Sequence, residues 1–154
     1  MLKIGDIAPD FAGEEQYGNV IRLSNYRGKW DLIMVFYTFD WNPINMLLMT
    51  DFQRNLHLFN ELGIKIIAVS VDSVYSHKEW ARRNCLEFPL ISDFSRRISE
   101  SYGVLDPRGF ATPAIFLIDK KSIIRYSKLY LVGEKPSAEI IFEKIQELIG
   151  TGEL

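Results

Sequence analysis

Continuous hydrophobic runs alternate along this chain with segments in which hydrophobic residues recur every three or four positions. The runs at residues 32–37, 64–70 and 114–118 are rich in β-branched and aromatic side chains. Runs of this length and composition predict strands that are covered on both faces of a sheet. Residues 123–129 are more mixed, which predicts a strand nearer an edge, joined to the preceding run as a hairpin.

Amphipathic segments between these strands predict helices. Residues 43–62 place leucine or phenylalanine at intervals of three or four, which forms one apolar stripe. Asn42 is suited to cap the start of this helix, and Gly63 fits just beyond its end. Further helices are predicted at residues 76–84, at 96–102 and from about Pro136 onwards. Strands that alternate with helices and finish in a hairpin predict an α/β fold with a central mixed sheet.

Composition narrows the classes of protein to which the chain can belong. It has 154 residues, 47% hydrophobic and 25% charged, so a single domain spanning residues 1–154 is expected. The formal net charge of −2 shows no basic excess that would favour nucleic acid. The hydrophobic runs are too short to cross a bilayer, and residues 1–7 do not resemble a signal peptide, so no membrane association is expected.

The residues able to bind metal or carry redox chemistry are few. Cys85 is the single cysteine, so neither an intrachain disulfide nor a zinc-binding cysteine cluster can form, and a cytoplasmic protein is expected. His57 and His77 are far apart in sequence, and Asp40 and Asp72 are predicted to be caps or turn residues. We therefore predict no metal site and no cofactor.

Seven phrases of the sequence resemble the peroxiredoxins of the alkyl hydroperoxide reductase type, in the order in which that family carries them. They lie at residues 5–11 (GDIAPDF), 22–29 (RLSNYRGK), 69–73 (VSVDS), 76–80 (SHKEW), 88–93 (FPLISD), 102–105 (YGVL) and 116–119 (FLID). The resemblance implies a thioredoxin-like fold with an N-terminal extension. In active members of the family it also implies reduction of peroxides by a cysteine.

The active-site pattern of that family is altered in this chain. The family carries a proline, a threonine or serine four positions later, and the peroxide-reacting cysteine three positions after that. The matching positions here are Thr38, Asn42 and Asn45, and the position of the family's pocket arginine is Pro113. Related thioredoxin-like families carry a cis-proline at this point, so the Thr112–Pro113 bond is a candidate for the cis form.

Asn45 cannot perform the chemistry of the cysteine that it replaces in this comparison. Peroxide reduction begins with a thiolate, whose pKa must be lowered from about 8.5. The first turn of a helix provides that help through unpaired N–H groups and the helix dipole. A carboxamide neither ionises nor attacks an O–O bond. The leading hypothesis is a peroxiredoxin-like protein without ordinary peroxidase activity, repurposed for binding or regulation.

Two alternatives concern other residues. Cys85 could serve as the thiol of a peroxide-reducing enzyme with an external resolving thiol, helped by the cations Arg82 and Arg83. A buried packing role for Cys85 is the interpretation that we favour. The helix terminus from Asn42 to Asn45 could bind an anion or a polar small molecule, although ordinary capping explains the same residues.

Phe39 and Trp41 lie in the loop ahead of the first long helix. In peroxiredoxins this loop contributes to one type of dimer contact, and exposed aromatic side chains are common at interfaces. The resemblance therefore implies a homodimer through Phe39 and Trp41, or pairing with another peroxiredoxin or a thioredoxin-like protein. Packing of both rings beneath their own loop is an equal alternative. Together with Asn42, Asn45 and Pro113, the two aromatic residues define a candidate pocket.

Overall fold

The computed structural model describes residues 1–134 and 136–154 and contains a seven-stranded mixed sheet between helices. The strands are β1 (Ala12–Glu14), β2 (Val20–Arg22), β3 (Asp31–Phe36), β4 (Ile64–Ser70), β5 (Leu90–Ser92), β6 (Ala114–Ile118) and β7 (Ile124–Leu129). The helices are α1 (Pro43–Arg54), α2 (Leu56–Glu61), α3 (Val74–Asn84), α4 (Arg97–Ser101) and α5 (Ala138–Gly150), with a short 3-10 turn at Leu23–Asn25. The predicted α/β fold with a central mixed sheet is confirmed.

Strand β3 lies at the centre of the sheet, where the hydrophobic pattern predicts a strand buried on both faces. The sheet order is β2-β1-β5-β4-β3-β6-β7, with β3 parallel to β4 and antiparallel to β6. Side chains alternate across a strand, so Ile33 and Val35 enter one core while Met34 and Phe36 enter the other. The predicted hairpin is the antiparallel pair β6–β7.

The prediction of one long helix at residues 43–62 is wrong in one respect: the helix breaks at Asn55 into α1 and α2. The Asn55 side-chain amide donates to the carbonyl of Asp51 at 2.8 Å. This local bond competes with the backbone ladder, which is the ordinary reason that asparagine disfavours helix interiors. Leu62 and Gly63 then end α2, with Gly63 at a φ of 73° as predicted for its position.

The remaining helices begin close to their predicted positions. Ser73 caps α3, so this helix starts two residues earlier than predicted, and Ser137 caps α5. Helix α4 is a single short turn within the predicted range. Among the helices described, none combines the length and the apolar character needed to cross a bilayer.

The N-terminal extension forms a hairpin that the sequence pattern does not predict. Its strands β1 and β2 pair with each other, and Glu14 of β1 reaches Ser92 of β5. The strands are three residues long, too short for a periodicity to show. Gly13 permits the close approach, because a Cβ built there would lie 2.4 Å from Cγ2 of the fully buried Ile91.

We expect the substitution Gly13→Ala to lower the free energy of unfolding by about 1–3 kcal/mol. The new methyl group would displace Ile91, a β-branched residue with little rotamer freedom. Gly150→Ala is the matched control, because nothing lies within 4 Å of its added Cβ at the end of α5. That control should change stability by between zero and about +1 kcal/mol. Urea unfolding measures both, and equal effects of the two substitutions would contradict the tight packing of β1 on β5.

Candidate functional site

The candidate site begins at the first turn of α1, which Asn42 caps. The Oδ1 atom of Asn42 accepts hydrogen bonds from the backbone N–H of Ile44 at 2.9 Å and of Asn45 at 3.2 Å. The carbonyl of Asn42 accepts from Met46 N–H, and Pro43 has no N–H to offer. The first-turn donors are therefore already bonded within the protein. Of the two interpretations of this terminus, the geometry supports capping over anion binding.

The Asn45 side chain is fixed by two hydrogen bonds at the bottom of the preceding loop. Its Nδ2 atom donates to Thr38 Oγ1 at 2.8 Å and to the carbonyl oxygen of Phe39 at 2.9 Å. A carbonyl can only accept, so the amide nitrogen must be the atom on that side. The residue is 7% exposed. The carboxamide thus connects α1 to the loop that follows β3.

Thr38, Asn42, Asn45 and Pro113 meet in the wall of one cavity of about 390 Å³. The structure thus brings together the four positions at which the sequence departs from the resembling family. Phe39 and Trp41, predicted for the same pocket, do not line it. The rest of the described wall comes from Ile44 of α1 and from two segments that flank β6 and β7 in sequence. Their lining residues are Asp106, Arg108, Phe110, Ala111, Thr112, Tyr130, Leu131, Val132, Gly133 and Glu134.

Three charged residues in the described wall were not predicted from the sequence. Asp106 forms an ion pair with Arg108, whose Nε lies 3.0 Å from Asp106 Oδ1. The hydrogen bonds from Arg108 lower the pKa of Asp106. At the other side, the backbone N–H of Leu131 and then Lys128 lower the pKa of Glu134. Both carboxylates are charged at neutral pH. The turn-forming sequence of residues 106–109 is the one signal that could have marked this loop.

The proposed cis form of Thr112–Pro113 is wrong, because this bond is trans. Its two ends are fixed by backbone hydrogen bonds. Thr112 N–H donates to the Val104 carbonyl at 2.7 Å, and the Pro113 carbonyl accepts from Tyr130 N–H at 2.8 Å. The segment therefore enters β6 in an extended form and directs the proline ring into the cavity wall.

A buried carboxylate–imidazole pair lies behind the loop that leads to α1. His77 Nδ1 lies 2.8 Å from Asp40 Oδ2, and both side chains are fully buried. His77 Nε2 faces the Ile91 carbonyl at 3.1 Å, so Nε2 carries a proton. The Nδ1–Oδ2 contact is a hydrogen bond between the imidazole ring and the carboxyl group. Asp40 lies in a turn, as predicted, and its side chain also forms the buried contact with His77 that the sequence pattern did not predict.

Further hydrogen bonds extend this network. Tyr37 donates its hydroxyl proton to Asp40 Oδ1 at 2.6 Å, and Ser76 donates to Asp40 Oδ2 at 2.9 Å. Burial, followed by the charge of Asp40, raises the pKa of Tyr37 well above its usual value, so the phenol keeps its proton. Asp72, predicted to be a cap or turn residue, instead accepts from Asp40 N–H at 2.8 Å and from the Ser70 hydroxyl.

Asp40, Asp72 and His77 are also close enough to be considered as metal ligands. Their ligand atoms all lie within 4.8 Å of one another, and within the described ranges no other group of three does so. Each of these atoms is already bonded to a neighbouring polar group of the chain. Burial raises the pKa of Asp72, because desolvation penalises its charged form.

The two loop aromatics occupy different environments. The Phe39 ring packs on Phe110, with centroids 5.3 Å apart. It therefore contacts a residue of the cavity wall without lining the cavity itself. Trp41 is 50% exposed, donates its indole N–H to Ser76 at 3.0 Å, and lies under the Arg83 guanidinium. Its φ of 67° is unusual for a bulky side chain, so the surrounding bonds must hold it there. Neither ring is buried beneath the loop.

Cys85 lies away from the cavity. It is exposed and ends α3 in a left-handed conformation, so the predicted buried packing role is wrong. It lies about 12 Å along α3 from His77, at 1.5 Å per residue. The neighbouring Arg82 and Arg83 both bond Glu79, one turn back along the helix, at 2.6 and 3.1 Å. The structure does not bring this thiol together with Asn45.

The fold and the site together define a class of protein. A mixed sheet whose central strand leads into a capped helix, with the candidate residues at that junction, is the thioredoxin-like arrangement of the peroxiredoxins. A 2-Cys peroxiredoxin of Plasmodium vivax in its reduced form superposes with a TM-score of 0.85 at 25% identity, covering 96% of this chain and 98% of that one. A yeast mitochondrial 1-Cys peroxiredoxin gives a TM-score of 0.89 at 24% identity, covering 99% and 79%, which shows the fold alone.

Sequence comparison identifies the family. The model of the AhpC/TSA family matches residues 4–127. A putative peroxiredoxin ycf42 of Porphyra purpurea is 38% identical over 136 aligned positions, covering 82% of this chain and 68% of that protein. The chloroplastic 2-Cys peroxiredoxin BAS1 of Hordeum vulgare is 35% identical over 157 positions, covering 94% and 74%. The chain belongs to the AhpC/TSA family, and its relatives are peroxiredoxins.

We expect His77→Leu to lower the free energy of unfolding by about 3–5 kcal/mol, because it leaves the buried Asp40 carboxyl group without its main partner. Ser76→Ala is the matched control, since it removes a hydroxyl that bonds the same carboxyl group and the Trp41 indole, and it should cost only about 1–2 kcal/mol. Urea unfolding gives both values. If the two variants lose the same stability, the imidazole is not the main anchor of Asp40.

Proposed function

We propose that this chain is a peroxiredoxin-family protein without ordinary peroxidase activity, in which the former active-site cavity serves binding or regulation. The observation that carries the proposal is Asn45. It lies at the first turn of α1, in the cavity wall, at the position that the resemblance gives to the peroxide-reacting cysteine. Its carboxamide cannot form the thiolate that attacks an O–O bond.

The surroundings of Asn45 support the same proposal. The N–H groups that could stabilise a thiolate are engaged by Asn42 Oδ1. Pro113 offers no charge at the position of the family's arginine, and Arg108 in the same wall is paired with Asp106. Loss of the nucleophile alone removes the covalent route. The altered neighbours mean that the site no longer provides the environment that lowers the pKa of a thiol.

The cavity itself is the reason to propose binding rather than a purely structural remnant. Its volume of about 390 Å³ is within the range of small-molecule sites, and its wall is largely apolar with a few fixed polar groups. Such a concave surface needs no catalytic residue in order to hold a ligand. A regulatory role would follow if ligand binding changed the loop that carries Phe39 and Trp41.

A second candidate function is peroxide reduction by Cys85, and its exposure is the observation in favour. In that case the Cys85 thiolate would attack one peroxide oxygen, the O–O bond would break, and the other oxygen would leave as water or an alcohol. The resulting sulfenic acid would react with an external thiol to give a mixed disulfide and water, and a second external thiol would restore Cys85.

We also propose self-association through the loop of Phe39 and Trp41. Trp41 is half-exposed and pairs with Arg83, and tryptophan and arginine are the residue types most enriched at interface hot spots. The same surface could contact another peroxiredoxin or a thioredoxin-like protein. We also propose a cytoplasmic location, because the single cysteine leaves the chain without an intrachain disulfide, although the curated relatives include chloroplastic proteins.

Peroxide consumption with dithiothreitol or thioredoxin as reductant tests the main proposal. We expect the wild type and Cys85→Ser to be equally inactive, because neither carries a thiol in the cavity. Asn45→Cys should gain little activity by itself, since Asn42 still binds the first-turn N–H groups. The double variant Asn45→Cys with Pro113→Arg should gain more, because a cation beside the new thiol favours the thiolate.

The outcomes of this assay separate the two candidate functions. Turnover by the wild type that disappears in Cys85→Ser would overturn the main proposal and support Cys85 as the nucleophile. Turnover that survives in Cys85→Ser would contradict both, because no other thiol is present in the sequence.

Self-association is tested by sedimentation velocity over a range of protein concentrations. We expect a dimer whose dissociation constant rises at least about 30-fold in Trp41→Glu, the effect of losing a hot spot of about 2 kcal/mol. Tyr17→Glu is the control, because Tyr17 is 67% exposed in the hairpin of β1 and β2, away from this loop. A wild type that stays monomeric at every concentration would refute association through this surface.

A further inference from the structure

A separate hollow lies at the end of the sheet where β4 begins. Strand β4 pairs with β3 from Ile64 onwards, but its pairing with β5 starts only at Ala68. Pro89, the residue before β5, has no N–H and cannot extend that ladder. The edge of β4 before Ala68 is therefore open, and a hollow of about 470 Å³ lies against Ile66. We call it the β4 hollow, and its volume is within the range of small-molecule sites.

Two side chains of opposite charge line the β4 hollow. Lys65 is the single charged residue of β4 and is half-buried, with its ammonium nitrogen 4.4 Å from the centroid of the Trp30 ring. Glu87 is exposed on the segment that leads to β5. Among residues 1–134 and 136–154, no ion pair involves either group, so the two do not neutralise each other. The hollow therefore offers both a cation and an anion to an incoming molecule.

The other side chains that line the hollow are apolar or neutral. Trp30, Leu56 and Phe88 provide an aromatic and aliphatic surface, and the Trp30 ring is 38% exposed. The amides of Asn25 and Asn60 add neutral hydrogen-bonding groups. An aromatic ring packs well on such a surface, because indole and phenyl groups bury large apolar areas. The wall thus suits a ligand that carries an apolar ring beside its charges.

Hydrogen bonds from two other parts of the chain fix the segment that carries Glu87. The backbone N–H of Glu87 donates to Gln53 Oε1 at 2.8 Å. The buried Gln16 donates through Nε2 to the Phe88 carbonyl at 3.1 Å and accepts from Leu90 N–H at 2.7 Å. A wall that is already ordered loses little conformational entropy when a ligand binds.

We propose that the β4 hollow binds a free aromatic amino acid, with its carboxylate on Lys65, its ammonium on Glu87 and its ring on the apolar wall. A simple anion would be attracted by Lys65 and repelled by Glu87, and a simple cation the reverse, whereas a zwitterion is attracted by both. This site is independent of the cavity beside Asn45. The two lie at opposite ends of β3, since Trp30 precedes that strand and Thr38 follows it.

Titration of the full chain with L-phenylalanine, phenylalaninamide and N-acetylphenylalanine tests the recognition of the two charges, followed in a proton–nitrogen correlation spectrum. The amide lacks the carboxylate, and the acetyl derivative lacks the ammonium group. We expect L-phenylalanine to bind about fivefold more tightly than either, the effect of one partly exposed ion pair. It should shift the signals of the Trp30 indole and of the Glu87 and Phe88 backbone. L-alanine should bind at least about tenfold more weakly, because it has no ring to bury.

Two variants assign each charge to its partner. Lys65→Met keeps an apolar stem and removes the ammonium, so it should weaken L-phenylalanine about fivefold and should not weaken phenylalaninamide. Glu87→Gln should likewise weaken L-phenylalanine and should not weaken N-acetylphenylalanine. Lys78→Met on α3 and Glu139→Gln on α5 are the matched controls, because both positions are exposed and lie outside the hollow. Neither control should change the affinity.

The absence of any spectral change with L-phenylalanine would overturn the proposal. Equal affinity for either derivative would do the same, because the hollow would then not distinguish the charges. A loss in Lys65→Met that L-phenylalanine and phenylalaninamide share equally would contradict the contact between Lys65 and the carboxylate. None of these results depends on the peroxidase assay, so this site and the proposed function can fail separately.

Discussion

The contact between Asp40 and His77 is the interaction on which the site depends. It joins the loop after β3 to α3, and through the Ile91 carbonyl it reaches β5. A buried carboxyl–imidazole pair is stable only when each of its polar atoms has a hydrogen-bond partner. Tyr37 and Ser76 supply the remaining hydrogen bonds to Asp40. This fixed loop can hold Trp41 in its unusual backbone conformation and deliver the chain to Asn42 at the correct angle to begin α1.

At the start of α1, the backbone N–H groups that could bind an anion are already bonded within the protein, although a cavity lies beside them. Asn42 uses its side chain to satisfy two backbone donors, and Asn45 uses its amide nitrogen to tie α1 back to Thr38. Both asparagines act by accepting or donating fixed hydrogen bonds, which requires no ionisation. The arrangement gives a fixed concave surface beside α1, and the fold alone does not establish which chemistry or binding takes place there.

Much of the fold could be predicted because it rests on local patterns. The runs that became β3, β4 and β6 are buried on both faces, and Asn42 and Gly63 mark helix ends by their own backbone preferences. The N-terminal hairpin escaped prediction because its short strands depend on Gly13 meeting Ile91, a contact between residues distant in sequence. The break at Asn55 depends on one side-chain bond that competes with an otherwise regular helical pattern.

The residues of the site could be predicted only at the positions that align with the active-site pattern of the resembling family. Thr38, Asn42, Asn45 and Pro113 do meet in one wall. Nothing in the sequence shows that Asp40 and His77 form a hydrogen bond, because they lie 37 positions apart. Arg108 and Phe110 reach the cavity through a loop whose position is set by tertiary packing.

Tertiary structure also explains why the prediction for Cys85 was wrong. A lone cysteine is most often buried, but at the left-handed end of α3 its side chain is directed to solvent, and the arginines that could have favoured its thiolate bond Glu79 instead. Sequence neighbours can suggest an electrostatic environment, whereas the direction in which each side chain points decides it.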